Sequence, residues 1–173
     1  MLVCGEPVER GIRRSTLRSR RDCCPPPDML DREALKALHQ RMFGKTWRWA
    51  GTYRTSEKSI SPFTWSEVPR LVSDLLENTR AQHAHAMRSD RALDELAARF
   101  HHQLVLIHPW PNGNGRHARL ATDLLLRRWG RPPFSWGSAT SSGPHDAVRT
   151  RYLQALAAAD NGRFDALYGF VRA

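Results

Sequence analysis

His108-Pro-Trp-Pro-Asn-Gly-Asn-Gly-Arg-His-Ala-Arg119 is the stretch on which the reading of this chain turns. Apolar residues at helical spacing lead into it (Leu93, Leu96, Ala97, Phe100, Leu104, Ile107), and Pro109 disfavours helix at the residue before it. One helix therefore ends near His108. A second starts around Gly115, with Leu120, Leu124 and Leu125 turned to the core. The turn between them suits phosphate. A helix N-terminus exposes unpaired N–H groups and a partial positive charge. Gly113 and Gly115 let backbone approach an anion with no Cβ in the way. Asn114 tolerates left-handed geometry and offers amide donors. Arg116 and Arg119 are neighbours on one helix surface, and guanidinium forks match phosphate oxygens. His108, at the end of the apolar run, carries an imidazole that is abundantly neutral near pH 7 and able to take a proton from a hydroxyl.

Outward from this turn the chain reads as helices. Asp31 is placed to cap a helix carrying Leu35, Leu38 and Met42, with Leu30 and Leu35 as a hydrophobic staple and Gly44 as its stop. Thr52–Phe63 lacks helical period and reads as a loop or small hairpin. Ser66 is placed to cap a helix through Val68, Leu71, Val72, Leu75 and Thr79, and Ser89 or Asp90 the helix that runs to His108. His83 and His85 are expected on a solvated helix face, and His101 and His102 as polar packing around the turn. Gly130 and Pro132-Pro133 close the helix after the turn. Val148, Tyr152, Ala155, Leu156 and Ala159 mark another helix, stopped at Asp160-Asn-Gly162, and Phe164, Leu167 and Val171 a last short one. The fold class is all-α: a bundle of about six helices with a small β-hairpin flap.

With 173 residues the chain suits one domain large enough for a real core. No apolar run reaches the length of a membrane span, and the N-terminus lacks the apolar centre of a signal peptide, so a cytoplasmic location is expected. Residues 1–27, with the Arg-rich run Arg10–Arg21 and Pro25–Pro27, read as a disordered or loosely attached arm, leaving 28–173 as the folded domain. Cys4, Cys23 and Cys24 all fall in that arm and point to neither a disulfide framework nor a zinc site. The net charge of +10 invites a nucleic-acid hypothesis. Residues 99–131 alone hold six Arg against Asp123, however, so the charge gathers at the glycine turn and a phosphate-bearing ligand explains it as well as a duplex. Nucleic acid and membrane are therefore not the expected partners.

The turn resembles the signature of Fic-domain proteins, His-x-Phe-x-(Asp/Glu)-Gly-Asn-Gly-Arg-x-x-Arg, through His108, Gly113, Asn114, Gly115, Arg116 and Arg119. Trp49-Ala-Gly-Thr-Tyr-Arg54 is similar to the family's element upstream of its target-binding flap, and Tyr152-Leu-Gln-Ala-Leu-Ala-Ala-Ala-Asp160 adds likeness to the mobile mystery protein B branch. The resemblance implies a Fic-like fold and a protein adenylyltransferase: AMP moves from ATP to a Ser, Thr or Tyr hydroxyl of a target protein, with Mg²⁺. His108 is implied as the base. Gly113, Asn114, Gly115, Arg116 and Arg119 are implied to hold the phosphates, and Lys58, Ser59, Ile60 and Ser61 to form a flap that aligns the target as an added strand. Asn112 stands where the family has an acidic Mg²⁺ ligand, which implies weaker metal binding and keeps a catalytically impaired binding module as an alternative. Phosphoryl transfer, or transfer of another nucleotide, on the same scaffold is the other alternative. Ser73-Asp-Leu-Leu-Glu-Asn78 has the letters of the family's restraining helix but not its usual place, so restraint is expected from a partner, a small helix-turn-helix companion as in toxin–antitoxin pairs.

Overall fold

The computed structural model describes residues 26–138 and 145–173. Its helices begin where side chains can satisfy their first N–H groups. α1 (Arg32–Phe43) opens on Asp31, whose carboxylate accepts the Ala34 N–H at 2.8 Å. Leu30 and Leu35 are both buried in the same core, as a staple requires. α2 (Val68–Ala86) is not capped by Ser66. Thr64 instead leads into a 3₁₀ turn, Trp65–Glu67, and its N–H donates to the Glu67 carboxylate at 2.9 Å. Ser66 lies inside that turn because Pro69, which cannot supply a helical N–H, is better placed near the start of the α-helix proper. α3 (Asp90–Ile107) opens on Ser89, which accepts the Ala92 N–H at 3.1 Å. α4 (Asn114–Arg128), α5 (His145–Asp160) and α6 (Asp165–Arg172) follow.

α3 is the shared wall of two cores. On one side α1, α2 and α4 bring Leu35, Val72, Leu76, Ala121 and Leu125 against Phe100 and Leu104. On the other, α5 and α6 bring Tyr152, Leu156, Leu167 and Phe170 against Ala97 and Ala98. Each large side chain removed from water in these clusters contributes about 1.5–3 kcal/mol. The small residues Ala97 and Ala98, both fully buried, let α6 and α5 come close. Asp123 of α4 accepts the Phe134 N–H and the Trp136 indole N–H, each at 3.1 Å, and so fixes the segment that precedes α5. His83 is half-buried and stacks on Trp129 with ring centroids 4.6 Å apart, so the solvated face expected of it holds only for His85.

The expected β-hairpin is absent: among the described residues there is no strand, and Thr52–Phe63 is a loop. Its carbonyls explain why. Those of Ser56 and Phe63 are taken by the buried Arg54 guanidinium, not by a facing strand, and Pro62 has no N–H for a ladder. Apart from Pro26 and Pro27, the arm expected at 1–27 lies outside the described residues. Among the described residues no helix is long and apolar enough to cross a membrane.

Candidate active site

The loop from His108 to Gly113 is built on two left-handed residues. His108 ends α3 at φ 54° and ψ 59°, and Gly113 precedes α4 at φ 82°. The left-handed position thus falls on Gly113 and not, as the sequence suggested, on Asn114, which is already the first residue of α4. A Cβ at Gly113 would meet Phe43 at 2.7 Å, so only glycine passes here. Asn114 is buried and locks the bend from behind: its side-chain oxygen accepts the Trp110 N–H at 2.9 Å and its amide donates to the Trp110 carbonyl at 2.8 Å. Both ends of that side chain are spent on the loop, so its donors do not face a ligand. Trp110 fills the core completely, its indole N–H donating to His117 Nδ1 at 3.1 Å.

His108 is half-buried and lines a cleft of about 800 Å³, within the size range of ligand sites. Its Nδ1 is buried without a hydrogen-bond partner, which leaves Nε2 as the nitrogen that can take a proton from the cleft. Burial holds the imidazole below its ordinary pKa, and the nearby charges of Arg54 and Lys58 push the same way; the Val105 carbonyl opposes them. The ring is therefore neutral at pH 7, as a proton acceptor must be.

Next to it lies the N-terminus of α4. The first hydrogen bond of α4 runs from the His117 N–H to the Gly113 carbonyl, so the N–H groups of Asn114, Gly115 and Arg116 precede the helical ladder and are free for an anion. Gly115 has open space at its Cβ position, with only the Tyr152 hydroxyl near, at 3.9 Å. Arg116 and Arg119 both line the cleft. Arg116 is exposed and its guanidinium stands 4.8 Å from the Phe43 ring. Arg119 is half-buried over the Tyr152 ring at 5.1 Å, and its Nε is buried with no partner. Asn112 is exposed at the rim, its side-chain oxygen accepting the Gly113 N–H at 2.7 Å.

Of the expected flap residues, Ser61 donates its N–H to the Lys58 carbonyl at 3.0 Å, closing a turn over 58–61. Ile60 is 66% exposed and lines the cleft; Ser59 is exposed, and Lys58 and Ser61 are half-buried. The far end of the cleft was not read from the sequence. There Val105, Leu106, Leu153 and Leu156 form an apolar strip that ends at Asp160, whose carboxylate lies 2.8 Å from His102 Nε2. Tyr152 and Asp160 had been read as a core residue and a helix stop. Tyr152 carries a second role, since its hydroxyl lies 2.9 Å from the buried His101 Nε2 beneath Arg119. Burial pushes the Tyr152 phenol up to about 12 and the His101 imidazole down to about 3, so both are neutral at pH 7. None of α2 lines the cleft, which removes Ser73–Asn78 as a restraint acting there.

For Mg²⁺ the chain offers little of its own. No group of three or more acidic, histidine or cysteine side chains able to hold a metal stands among the described residues. The Asn112 amide oxygen, with one lone pair left beyond its bond to Gly113, is a neutral ligand that suits a metal already carried by phosphates, not one bound alone.

The sequence pattern of the Fic/DOC family matches residues 29–126, and the chain belongs to that family. It is 35% identical over 100 residues to the protein adenylyltransferase Fic of Nematostella vectensis, covering 56% of this chain and 22% of that one. It is 37% identical over 79 residues to a uridine 5'-monophosphate transferase of Xanthomonas campestris pv. campestris (strain 8004), covering 40% of this chain and 15% of that one. The chain thus spans about a fifth of the length of these curated relatives. Among solved structures, BepC of Bartonella tribocorum, crystallised with bound AMPPNP, superposes at a TM-score of 0.70 with 20% identity over 87% of this chain and 76% of that one. Fic-1 of C. elegans superposes at 0.65 with 28% identity over 82% and 39%.

Proposed function

We propose that residues 28–173 form a protein adenylyltransferase, moving AMP from ATP to a Ser, Thr or Tyr hydroxyl of a target protein. One observation carries this reading: the free N–H groups of 114–116, Arg116 and Arg119 lie in one cleft with a neutral, left-handed His108. The amides and the two guanidinium groups hold the triphosphate and meet the charge that develops as pyrophosphate leaves. His108 Nε2 takes the proton of the attacking hydroxyl while the new O–Pα bond forms and the bond from Pα to the pyrophosphate oxygen breaks. The nucleoside lies along the apolar strip toward Asp160. The target backbone runs beside the 58–61 turn, with Ile60 facing the cleft. Asn112 would hold Mg²⁺ as a neutral ligand, and the metal would supply charge neutralisation there.

Two further elements belong to this reading. ATP as donor fits a cytoplasmic location. With no part of α2 at the cleft, restraint falls to a partner, for which a small helix-turn-helix companion is the candidate.

Likeness to a uridine 5'-monophosphate transferase favours a second reading, in which another nucleotide is the donor. The deciding experiment incubates the chain and a cell extract with Mg²⁺ and ATP labelled at the α or the γ phosphate, with excess unlabelled UTP as competitor. Label from the α position on protein, absent with His108→Ala, is the expected result. Label only from the γ position makes the protein a phosphotransferase. Loss of label to UTP competition shows that UTP enters the donor site, and label on protein from UTP labelled at the α phosphate then makes uridylyl transfer the reaction. No label in any arm leaves a binding module.

A further inference from the structure

Arg54 is the one arginine among the described residues whose side chain is wholly buried, and it does not line the cleft. Its guanidinium donates from Nε to the His108 carbonyl at 2.9 Å. The remaining nitrogens donate to the Ser56 carbonyl at 3.0 Å, to the Phe63 carbonyl at 2.7 Å and, more weakly, to the Ser61 hydroxyl oxygen at 3.4 Å. Its own backbone N–H donates to the Pro109 carbonyl at 2.8 Å. One residue therefore holds two consecutive carbonyls of the bend, at 108 and 109, and three acceptors of the 56–63 loop.

The bend needs holding. A histidine at φ 54° is strained, and such a residue keeps its conformation only where its surroundings over-determine it. In that conformation the His108 carbonyl turns out of the helical ladder and requires a donor from elsewhere. Ser61 completes the knot from the loop side, its hydroxyl reaching the last carbonyls of α3, Leu106 at 3.0 Å and Ile107 at 3.2 Å. Among the described residues the only carboxylate in ion-pair reach of the cation is the exposed Glu57, at 3.6 Å. A buried guanidinium with so little charge compensation is held mainly by carbonyl dipoles, and a lysine, with a point charge and no planar fork, cannot match them all.

Resting on the activity argued above, we propose that Arg54 is a positioning residue for the reaction, fixing the His108 imidazole and the 56–63 loop in register as one unit. The phosphate end is held separately, by Asn114 on Trp110 and by His39, whose Nε2 lies 3.1 Å from the Asn112 carbonyl. Loss of Arg54 therefore strikes the proton acceptor and spares nucleotide binding.

The test compares the full chain with Arg54→Lys, Arg54→Gln and Ser61→Ala. It measures transfer from α-labelled ATP, binding of a fluorescent ATP analogue, and the His108 imidazole titration by nitrogen-15 NMR. Both Arg54 variants are expected to bind the analogue within about twofold of wild type and to lose about 100-fold in kcat, the scale of a displaced catalytic group. Arg54→Gln, which removes the charge, also raises the His108 titration; Arg54→Lys does not. A kcat for Arg54→Lys within about threefold of wild type overturns the proposal. So does a kcat loss matched by an equal loss of analogue binding. If neither Arg54 variant folds, Ser61→Ala decides: about a tenfold loss of kcat with binding intact supports the coupling, and an unchanged kcat overturns it. If wild type transfers no label, the activity reading fails by itself. His108 signals that do not move in Arg54→Gln, or in Ser61→Ala should the Arg54 variants not fold, then overturn the coupling independently.

Discussion

His39 Nε2 lies 3.1 Å from the main-chain carbonyl of Asn112, 73 positions along the chain, and its Nδ1 accepts the Gly51 N–H at 2.9 Å. These two bonds fix the ring in one neutral tautomer and tie α1 to the glycine turn. Its neighbours pack it in place: Trp110 stacks on it with ring centroids 4.4 Å apart, and the Phe43 ring lies tilted against it at 4.9 Å. His39→Ala opens a void and leaves a carbonyl and an N–H unpaired, so stability is expected to fall by about 2–5 kcal/mol, read from urea denaturation. His39→Gln, which can restore one bond, should lose less.

Acid should unfold the protein early. Burial holds His39, His101 and His117 below their ordinary pKa, the last two down to about 3. The unfolded chain protonates them near pH 6.5 while the folded chain does not, so each contributes full stability above pH 6.5. That contribution falls away as pH drops from 6.5 toward 3, at up to about 1.4 kcal/mol per unit for each ring. Urea midpoints measured from pH 8 to pH 4 should be flat above 6.5 and decline below it. A midpoint that rises on acidification contradicts the burial described here.

The same logic at His108 predicts the rate profile. Its pKa is held below the ordinary value in the free protein, so the base is more than half neutral at pH 6.5, and kcat/KM for transfer should drop to half of its plateau only below that value. A rate already halved at pH 7 would exclude this ring as the proton acceptor.

Gly113 and Gly115 should respond differently to alanine. Gly113→Ala places a Cβ 2.7 Å from Phe43 at a left-handed φ, and about 2–4 kcal/mol of stability should be lost. Gly115→Ala meets nothing closer than the Tyr152 hydroxyl at 3.9 Å. It should fold with near-normal stability yet bind ATP about tenfold or more weakly, because the methyl stands where a phosphate approaches the amides. Thermal melts and nucleotide titrations together separate the two.

Asn112→Asp restores an anionic oxygen at the rim beside the phosphates. The Mg²⁺ concentration giving half-maximal transfer should drop by about tenfold, with little change in the plateau rate. An unchanged Mg²⁺ dependence would mean that position 112 does not meet the metal.

The helices were legible because each carries apolar residues at helical spacing, and two of them open on a cap that local chemistry dictates, Asp31 and Ser89. The turn between α3 and α4 was legible because glycine placement near a proline break is local too. What escaped was contributed over long range. Arg54 stood in a noted motif, but nothing local shows that its guanidinium reaches His108, 54 positions away. Tyr152 sits at a helical spacing that a plain core residue would also occupy, and its partner His101 is 51 positions distant. The hairpin was misread because loop carbonyls can be claimed by a buried cation as well as by a second strand, and residue patterning does not distinguish the two.

The two ends of the cleft are built from different materials. At one end stand the N–H groups of 114–116 proposed to meet the anion, set by Gly113, which admits no side chain. At the other, Leu153, Leu156, Asp160 and His102 present ordinary side chains. On the reading proposed above, donor choice would drift through a few exchanges on α5 and α3 while the bend that carries the phosphate chemistry stays fixed.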